Sequence, residues 1–234
     1  LGAFDDHFST RLFGRRLAAR LMPSLKDVLL AYWALAYRKL RKRRGLDPAR
    51  ARNIFQVIEG NLTLLADIPE YAPTRPLPPS IRYVGPILWN SPWKDWRAPD
   101  WLARLDPARP TVYFTLGSSG EVDYFGLVRD VFAGTQYQVI MTTGGLIEGL
   151  SAPDNIHVVD FAPGLELMRR SNVVLSHGGN GTIFQAILAG APLIGIPSHV
   201  DQERNLQRVQ ELGFGVKLRE KTCTGPIIAE AVER

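Results

Sequence analysis

The chain has 234 residues, 45% hydrophobic and 22% charged, enough for one large globular domain or one and a half smaller ones, and unlike a disordered or low-complexity protein. Its formal net charge of +5 suits anionic ligands, and six of the positive charges fall in residues 38–44. A single cysteine, Cys223, excludes an internal disulfide and fits a reducing cytoplasm, and no run approaches the ~20 apolar residues of a membrane-spanning helix.

Residues 1–60 read as helical, because Leu12, Leu17, Leu21, Leu25, Val28, Leu29, Tyr32, Trp33, Leu35 and Ala36 recur near helical spacing. Pro23 breaks that pattern or opens a new helix at its first turn. Gly45 suits a C-cap behind the basic run, and Asp47-Pro48 suits the start of the next helix. A short strand is expected over 61–66. Residues 67–79 hold Pro69, Pro73, Pro76, Pro78 and Pro79, a stiff extended connector. Trp89, Trp93, Trp96 and Trp101 follow. From Pro110 the text alternates: strands over 111–116, 137–142, 156–159, 173–176, 192–196 and 215–218, and helices over 121–133, 165–170, 181–189, 202–212 and 227–234. Strands alternating with helices imply a parallel sheet covered on both faces, with ligands at the carboxyl ends of the strands.

The most informative stretch is 173–205. A buried apolar strand runs into His177-Gly178-Gly179-Asn180-Gly181-Thr182, a helix follows, and one strand further on comes a polar loop with Asp201-Gln202. A glycine turn between strand and helix lets backbone N–H groups approach a phosphate, and the helix N-terminus adds about half a positive charge there. The second loop brings a carboxylate and an amide to the same sheet edge. Together they form a site for a phosphate-linked molecule whose other end carries hydroxyls.

These residues, with Pro197, resemble the donor-binding signature of family-1 glycosyltransferases, the UDP- and dTDP-sugar transferases of GT-B fold, and the macrolide- and zeaxanthin-type bacterial branches are nearest. Tyr83-Val84-Gly85-Pro86, the stretch Tyr113-Phe114-Thr115-Leu116-Gly117-Ser118-Ser119, and Val159-Asp160-Phe161-Ala162-Pro163 agree, so the likeness runs over roughly residues 61–218. It implies a Rossmann-like parallel sheet with helices on both faces, the C-terminal half of a GT-B fold. In this reading 1–75 are a mostly helical remnant of the acceptor-binding domain, 76–89 a Pro-rich linker, and 90–234 the donor-binding domain, cut short at its end. The chain then resembles a fragment that lacks the early histidine serving as catalytic base in the family, so no catalytic base is assigned within it.

By the same resemblance, the diphosphate falls to Ser118, Ser119, His177, Gly179, Asn180, Gly181 and Thr182, the nucleoside to Phe161 and Ala162, and the sugar hydroxyls to Asp201 and Gln202. Plant relatives carry tryptophan and glutamine where this chain has Phe161 and Gly164, which leaves UDP versus dTDP open. Plainer readings stand beside each: a helix N-cap turn for the glycines, an N-cap aspartate for the helix over 202–212, and structural roles for His7 and His157. No cofactor and no metal are expected, since histidine and helix dipole face the diphosphate. The partners implied are a nucleotide sugar and a small apolar acceptor, with inversion at the sugar. Rival readings are a module that binds the donor without turnover and a membrane-surface transferase held through residues 38–44, where a solvated helix end is the plainer account. Nucleic-acid binding lacks interleaved aromatics or a recognisable module.

Overall fold

Two stretches of regular structure differ in what they bury, and they are the two units into which the chain divides, Leu1–Gly85 and Pro86–Arg234. The computed structural model describes residues 28–53, 56–57, 59–73, 76–88, 96–117, 121 and 123–234. The expected features at Leu12, Leu17, Leu21, Pro23, Leu25, Trp89 and Trp93 lie outside the described residues.

In the first unit residues 28–33 are helical and α1 spans Leu35–Arg43. Gly45, with φ of 67°, ends it: the Leu46 N–H donates to the Arg41 carbonyl and the Gly45 N–H to that of Lys42, a Schellman closure that needs the left-handed glycine. Asp47 accepts from the Ala49 N–H at 2.8 Å and Pro48 follows, but the result is a single 3-10 turn, Pro48–Ala51, rather than a helix. Strand β1, Thr63–Leu65, pairs in parallel with β2, Ile81–Tyr83, across the proline-rich crossover. The pairing was not legible because β2 is only three residues long and half-buried.

The second unit opens with a four-residue helix, α2, Asp100–Ala103. Six parallel strands follow: β3 Thr111–Thr115, β4 Gln138–Thr142, β5 Ile156–Val159, β6 Val173–Ser176, β7 Leu193–Gly195 and β8 Gly215–Lys217, in the order β5-β4-β3-β6-β7-β8. Strands β3 and β4 are buried along their whole length, as apolar runs covered on both faces must be. The covering helices are α3 Asp123–Phe132, α4 Gly164–Met168, α5 Asn180–Ala189, α6 Val200–Glu211 and α7 Gly225–Glu233. The core gathers Phe114, Leu116, Phe125, Phe132, Met141 and Ile228, so α7 closes against α3.

Helix α6 lies close on the sheet because two glycines make room for Leu206. A side chain at Gly195 would begin 2.0 Å from Leu206 Cδ2, and one at Gly178 would begin 2.5 Å from its Cγ. At the amino edge of the sheet, the buried amide of Gln138, the half-buried amide of Asn155 and a guanidinium hold the loops. Asn155 Nδ2 donates to the carbonyls of Phe132 and Tyr137, and Gln138 Nε2 to that of Asp106. Arg109 donates to the carbonyls of Thr135, Gln136 and Tyr137. His157, read as structural, stacks flat on Trp101 with ring centroids 4.4 Å apart.

Candidate functional site

Strand order reverses between β3 and β6, which pair directly with Thr115 opposite Ser176. The loops leaving their carboxyl ends therefore diverge to opposite sides and open a crevice, the place where doubly wound sheets bind ligands. Gly117 and His177 stand at that point.

His177 is 6% exposed and wedged between glycines of both loops: a side chain at Gly117 would begin 3.0 Å from its Cε1, and one at Gly179 would begin 2.6 Å from its Nε2. Gly117 also has φ of 58°, where a side chain would be strained. Among the described residues the buried His177 Nδ1 has no hydrogen-bond partner. Burial lowers the pKa of the ring, and His199 pushes the same way, against the Thr115 backbone and the Asp201 carboxylate, which favour the charged form. The ring is thus neutral near pH 7 and sits where an anion would restore its charge.

Helix α5 starts beside it. Gly179 is the N-cap in extended conformation, no side chain caps the helix, and the first intrahelical bond runs from the Ile183 N–H to the Gly179 carbonyl. The N–H groups of Asn180, Gly181 and Thr182 therefore have no partner within the helix. All three residues are at least partly exposed. A ten-residue helix directs its positive end at the crevice.

The loop after β4 touches the loop after β3, since a side chain at Gly144 would begin 2.5 Å from the Gly117 carbonyl oxygen. It is tied to the loop after β5 through Thr143 Oγ1, which donates to Asp160 at 2.8 Å, and through the Gly144 N–H, which donates to the Asp160 carbonyl. That fixes Phe161, 61% exposed, beside Gly145, with Ala162 next in line. Gly164 opens α4, and the space a side chain would take there is bordered by Gln185 of α5 and the Tyr113 hydroxyl. Tyr113 is buried against Thr142 Oγ1 at 2.8 Å, and its burial raises its pKa. Gln185 was not picked out from the sequence. The available signal was one amide in an otherwise apolar helix, Ile183-Phe184-Gln185-Ala186-Ile187-Leu188.

The loop after β7 leads into α6, whose N-cap is His199 and whose first turn holds Asp201. The helix begins at Val200 rather than 202, so Asp201 is inside the first turn and is not the N-cap. Its carboxylate is exposed, yet near enough to His177 to raise the pKa of that ring. Gln202 is 3% exposed, and its Oε1 accepts from the Ser198 N–H at 2.9 Å and from Ser198 Oγ at 3.1 Å. This holds the loop and leaves Gln202 only its amide nitrogen for other partners. The edge thus gathers His177, Asn180, Gly181, Thr182, Phe161, Ala162, Asp201 and Gln202, while Ser118 and Ser119 lie outside the described residues. Among the described residues no group of three or more His, Cys, Asp or Glu side chains could hold a metal ion, and no helix is long and apolar enough to cross a membrane.

An open sheet with a buried histidine and a bare helix N-terminus at its switch point defines a Rossmann-like domain of the GT-B kind, built around an anion-binding edge. Residues 134–234 match the family model described as Erythromycin biosynthesis protein CIII-like, C-terminal domain. A PGL/p-HBAD biosynthesis glycosyltransferase of Mycobacterium tuberculosis is 37% identical over 225 residues, which cover 96% of this chain and 52% of that protein. A PGL/p-HBAD biosynthesis rhamnosyltransferase of Mycobacterium bovis is likewise 37% identical, over 97% of this chain and 50% of its own length. The crystal structure of the calicheamicin glycosyltransferase CalG4 superposes with a TM-score of 0.62 at 25% identity, covering 85% of this chain and 50% of that one. Residues 134–234 thus resemble an EryCIII-like C-terminal domain, and the relatives named here are glycosyltransferases; the chain spans about half the length of the curated relatives it matches.

Proposed function

We propose that this chain holds the nucleotide-sugar donor of a glycosyltransferase that moves a hexose from UDP or dTDP to a hydroxyl of a small, apolar acceptor, with inversion and without a bound metal. The observation that carries this reading is His177: buried, neutral, without a partner at Nδ1 among the described residues, and wedged between Gly117 and Gly179 beside the N–H groups of α5 that have no partner within the helix. A polar ring confined in this way suits a diphosphate oxygen. It can donate one hydrogen bond there and takes up a proton as negative charge grows on the leaving group, while the helix N-terminus stabilises the same charge.

The remaining roles follow from position. Phe161 offers an exposed ring face for a pyrimidine, and the Ala162 backbone offers hydrogen bonds. Gln185, beside Gly164, adds an amide at the nucleoside end. Asp201 and the free amide nitrogen of Gln202 meet the sugar hydroxyls, with Gln202 Oε1 holding the loop in place. The glycosyltransferase relatives support the reaction class. The acceptor class rests on the sequence resemblance.

Titration calorimetry with UDP, dTDP, UDP-glucose and dTDP-glucose tests the reading. The expected result is binding of at least one nucleotide, tighter for its sugar form. Absence of binding to all four, with the chain folded by circular dichroism, would overturn it.

A further inference from the structure

The positive charge of this chain is concentrated in one place. Residues 28–53 hold eight basic side chains against the single carboxylate Asp47, an excess larger than the formal +5 of the whole chain. Six of the eight lie in residues 38–44, at and just beyond the C-terminal end of α1. Arg41 donates to the Asp47 carbonyl, whereas Arg38, Lys39, Lys42, Arg43 and Arg44 form no ion pair among the described residues.

Just N-terminal to these cations the same helical stretch shows large apolar groups to solvent. Val28, Tyr32 and Trp33 are 64%, 66% and 61% exposed, and Leu29, Leu35 and Leu40 are also exposed. Ala34 is the buried residue of this stretch. Charge alone would suit a nucleic acid, but a phosphate backbone gives no return for exposed Val28, Leu29 and Leu35. Apolar surface alone would suit a second copy of the chain, but that copy would set one strongly cationic face against another. Apolar and aromatic side chains beside unpaired lysines and arginines match one environment on both counts, the interface of an anionic bilayer. There the aromatic rings lie at headgroup depth and the basic side chains reach lipid phosphates.

We propose that residues 28–44 form a membrane-docking face that recognises anionic lipid, with Tyr32 and Trp33 entering the headgroup region and the basic run lying over it. Such docking is peripheral and reversible, and it is independent of the donor site.

Vesicle flotation of the full chain tests it, with phosphatidylcholine vesicles compared with phosphatidylcholine–phosphatidylglycerol vesicles at low and high salt. The chain is expected to float with the anionic vesicles only, to be released by salt, and to show a blue-shifted Trp fluorescence component that Trp33→Phe removes. Substituting the exposed Lys39, Lys42, Arg43 and Arg44 together by Gln is expected to weaken vesicle binding roughly 100- to 1,000-fold. Tyr32→Ser with Trp33→Ser should weaken it about tenfold. Both variants concern exposed side chains and should keep the parent's melting temperature and nucleotide affinity. Equal flotation with neutral vesicles, no flotation at all, or wild-type binding by the charge-neutralised variant would overturn the proposal. So would a shift of the same face to duplex nucleic acid or to self-association at the concentrations used.

Discussion

A histidine with a buried nitrogen that has no hydrogen-bond partner among the described residues is an uncommon thing to leave in a core, since an unsatisfied buried polar group costs about 1–3 kcal/mol. At position 177 that cost is consistent with a ligand that completes the hydrogen bond. His177→Ala should weaken UDP or dTDP binding by roughly 10- to 100-fold, as loss of a charge-assisted hydrogen bond would. The ring also gives binding a pH signature. Its pKa is depressed in the free protein, and an adjacent diphosphate raises it, so the complex holds a proton that the free site releases. Affinity should therefore rise as pH falls from about 8 to about 6, and His177→Ala should remove that part of the slope. Stability runs the other way: with the folded pKa below the unfolded value of 6.5, ligand-free protein loses stability as pH falls through that value and below. Gly179→Ala separates position from chemistry. The backbone there is extended with φ of −64°, which alanine accepts, but its side chain would begin 2.6 Å from Nε2. The variant should stay folded by circular dichroism, with some loss of stability as the His177 ring is displaced, and lose most diphosphate affinity by calorimetry. Asp201→Ala should lower affinity for the sugar nucleotide about tenfold and leave the bare nucleotide nearly untouched; equal losses would move Asp201 out of the sugar subsite. His177 and the glycine turn were legible because their spacing fixes a backbone shape. Gln202 as a loop tether and Gln185 beside Gly164 were not, because each depends on which distant residue the fold brings to it.

Elements inside the regular strand–helix alternation could be read from the text, even the three-residue β7 and β8: all six strands of the sheet and its five covering helices fall within a few residues of their expected places. Those that escaped are short and stand outside that alternation: strand β2 and helix α2 have three and four residues, and the helix-start signature at Asp47-Pro48 yields a 3-10 turn, Pro48–Ala51. The register of α6 was read two residues late because Val200, at its start, is exposed and resembles loop. What seats this helix is the pair of glycines under Leu206, which is fully buried. A methyl group at Gly195 would fall 2.0 Å from Leu206 Cδ2 inside a closed core. Gly195→Ala should therefore destabilise the fold by about 1–3 kcal/mol, measured by urea denaturation, and Leu206→Ala should cost less in that background than in the parent.

The molecule as a whole places its chemistry at one sheet edge and its stitching at the other. The carboxyl edge gathers loops rich in glycine, with groups left unpaired. At the amino edge Arg109, Gln138 and Asn155 tie neighbouring loops by their carbonyls, and a concavity of about 320 Å³ there is lined by these three together with Trp101, Arg104, Asp106, Asp154 and His157. The core that supports both edges, from Val112 to Ile228, lies wholly in the second unit, as do His177, Phe161 and Asp201. If folding and donor binding both belong to that unit, a chain of residues 86–234 contains all that either needs. It should unfold in one cooperative transition and bind UDP or dTDP within about threefold of the full chain, a difference of less than 1 kcal/mol. It should also fail to float with anionic vesicles, because the basic and aromatic helix is gone. A shortened chain that folds but loses nucleotide binding would show that the donor site draws on the first unit. One that keeps vesicle binding would show that the lipid contact lies elsewhere.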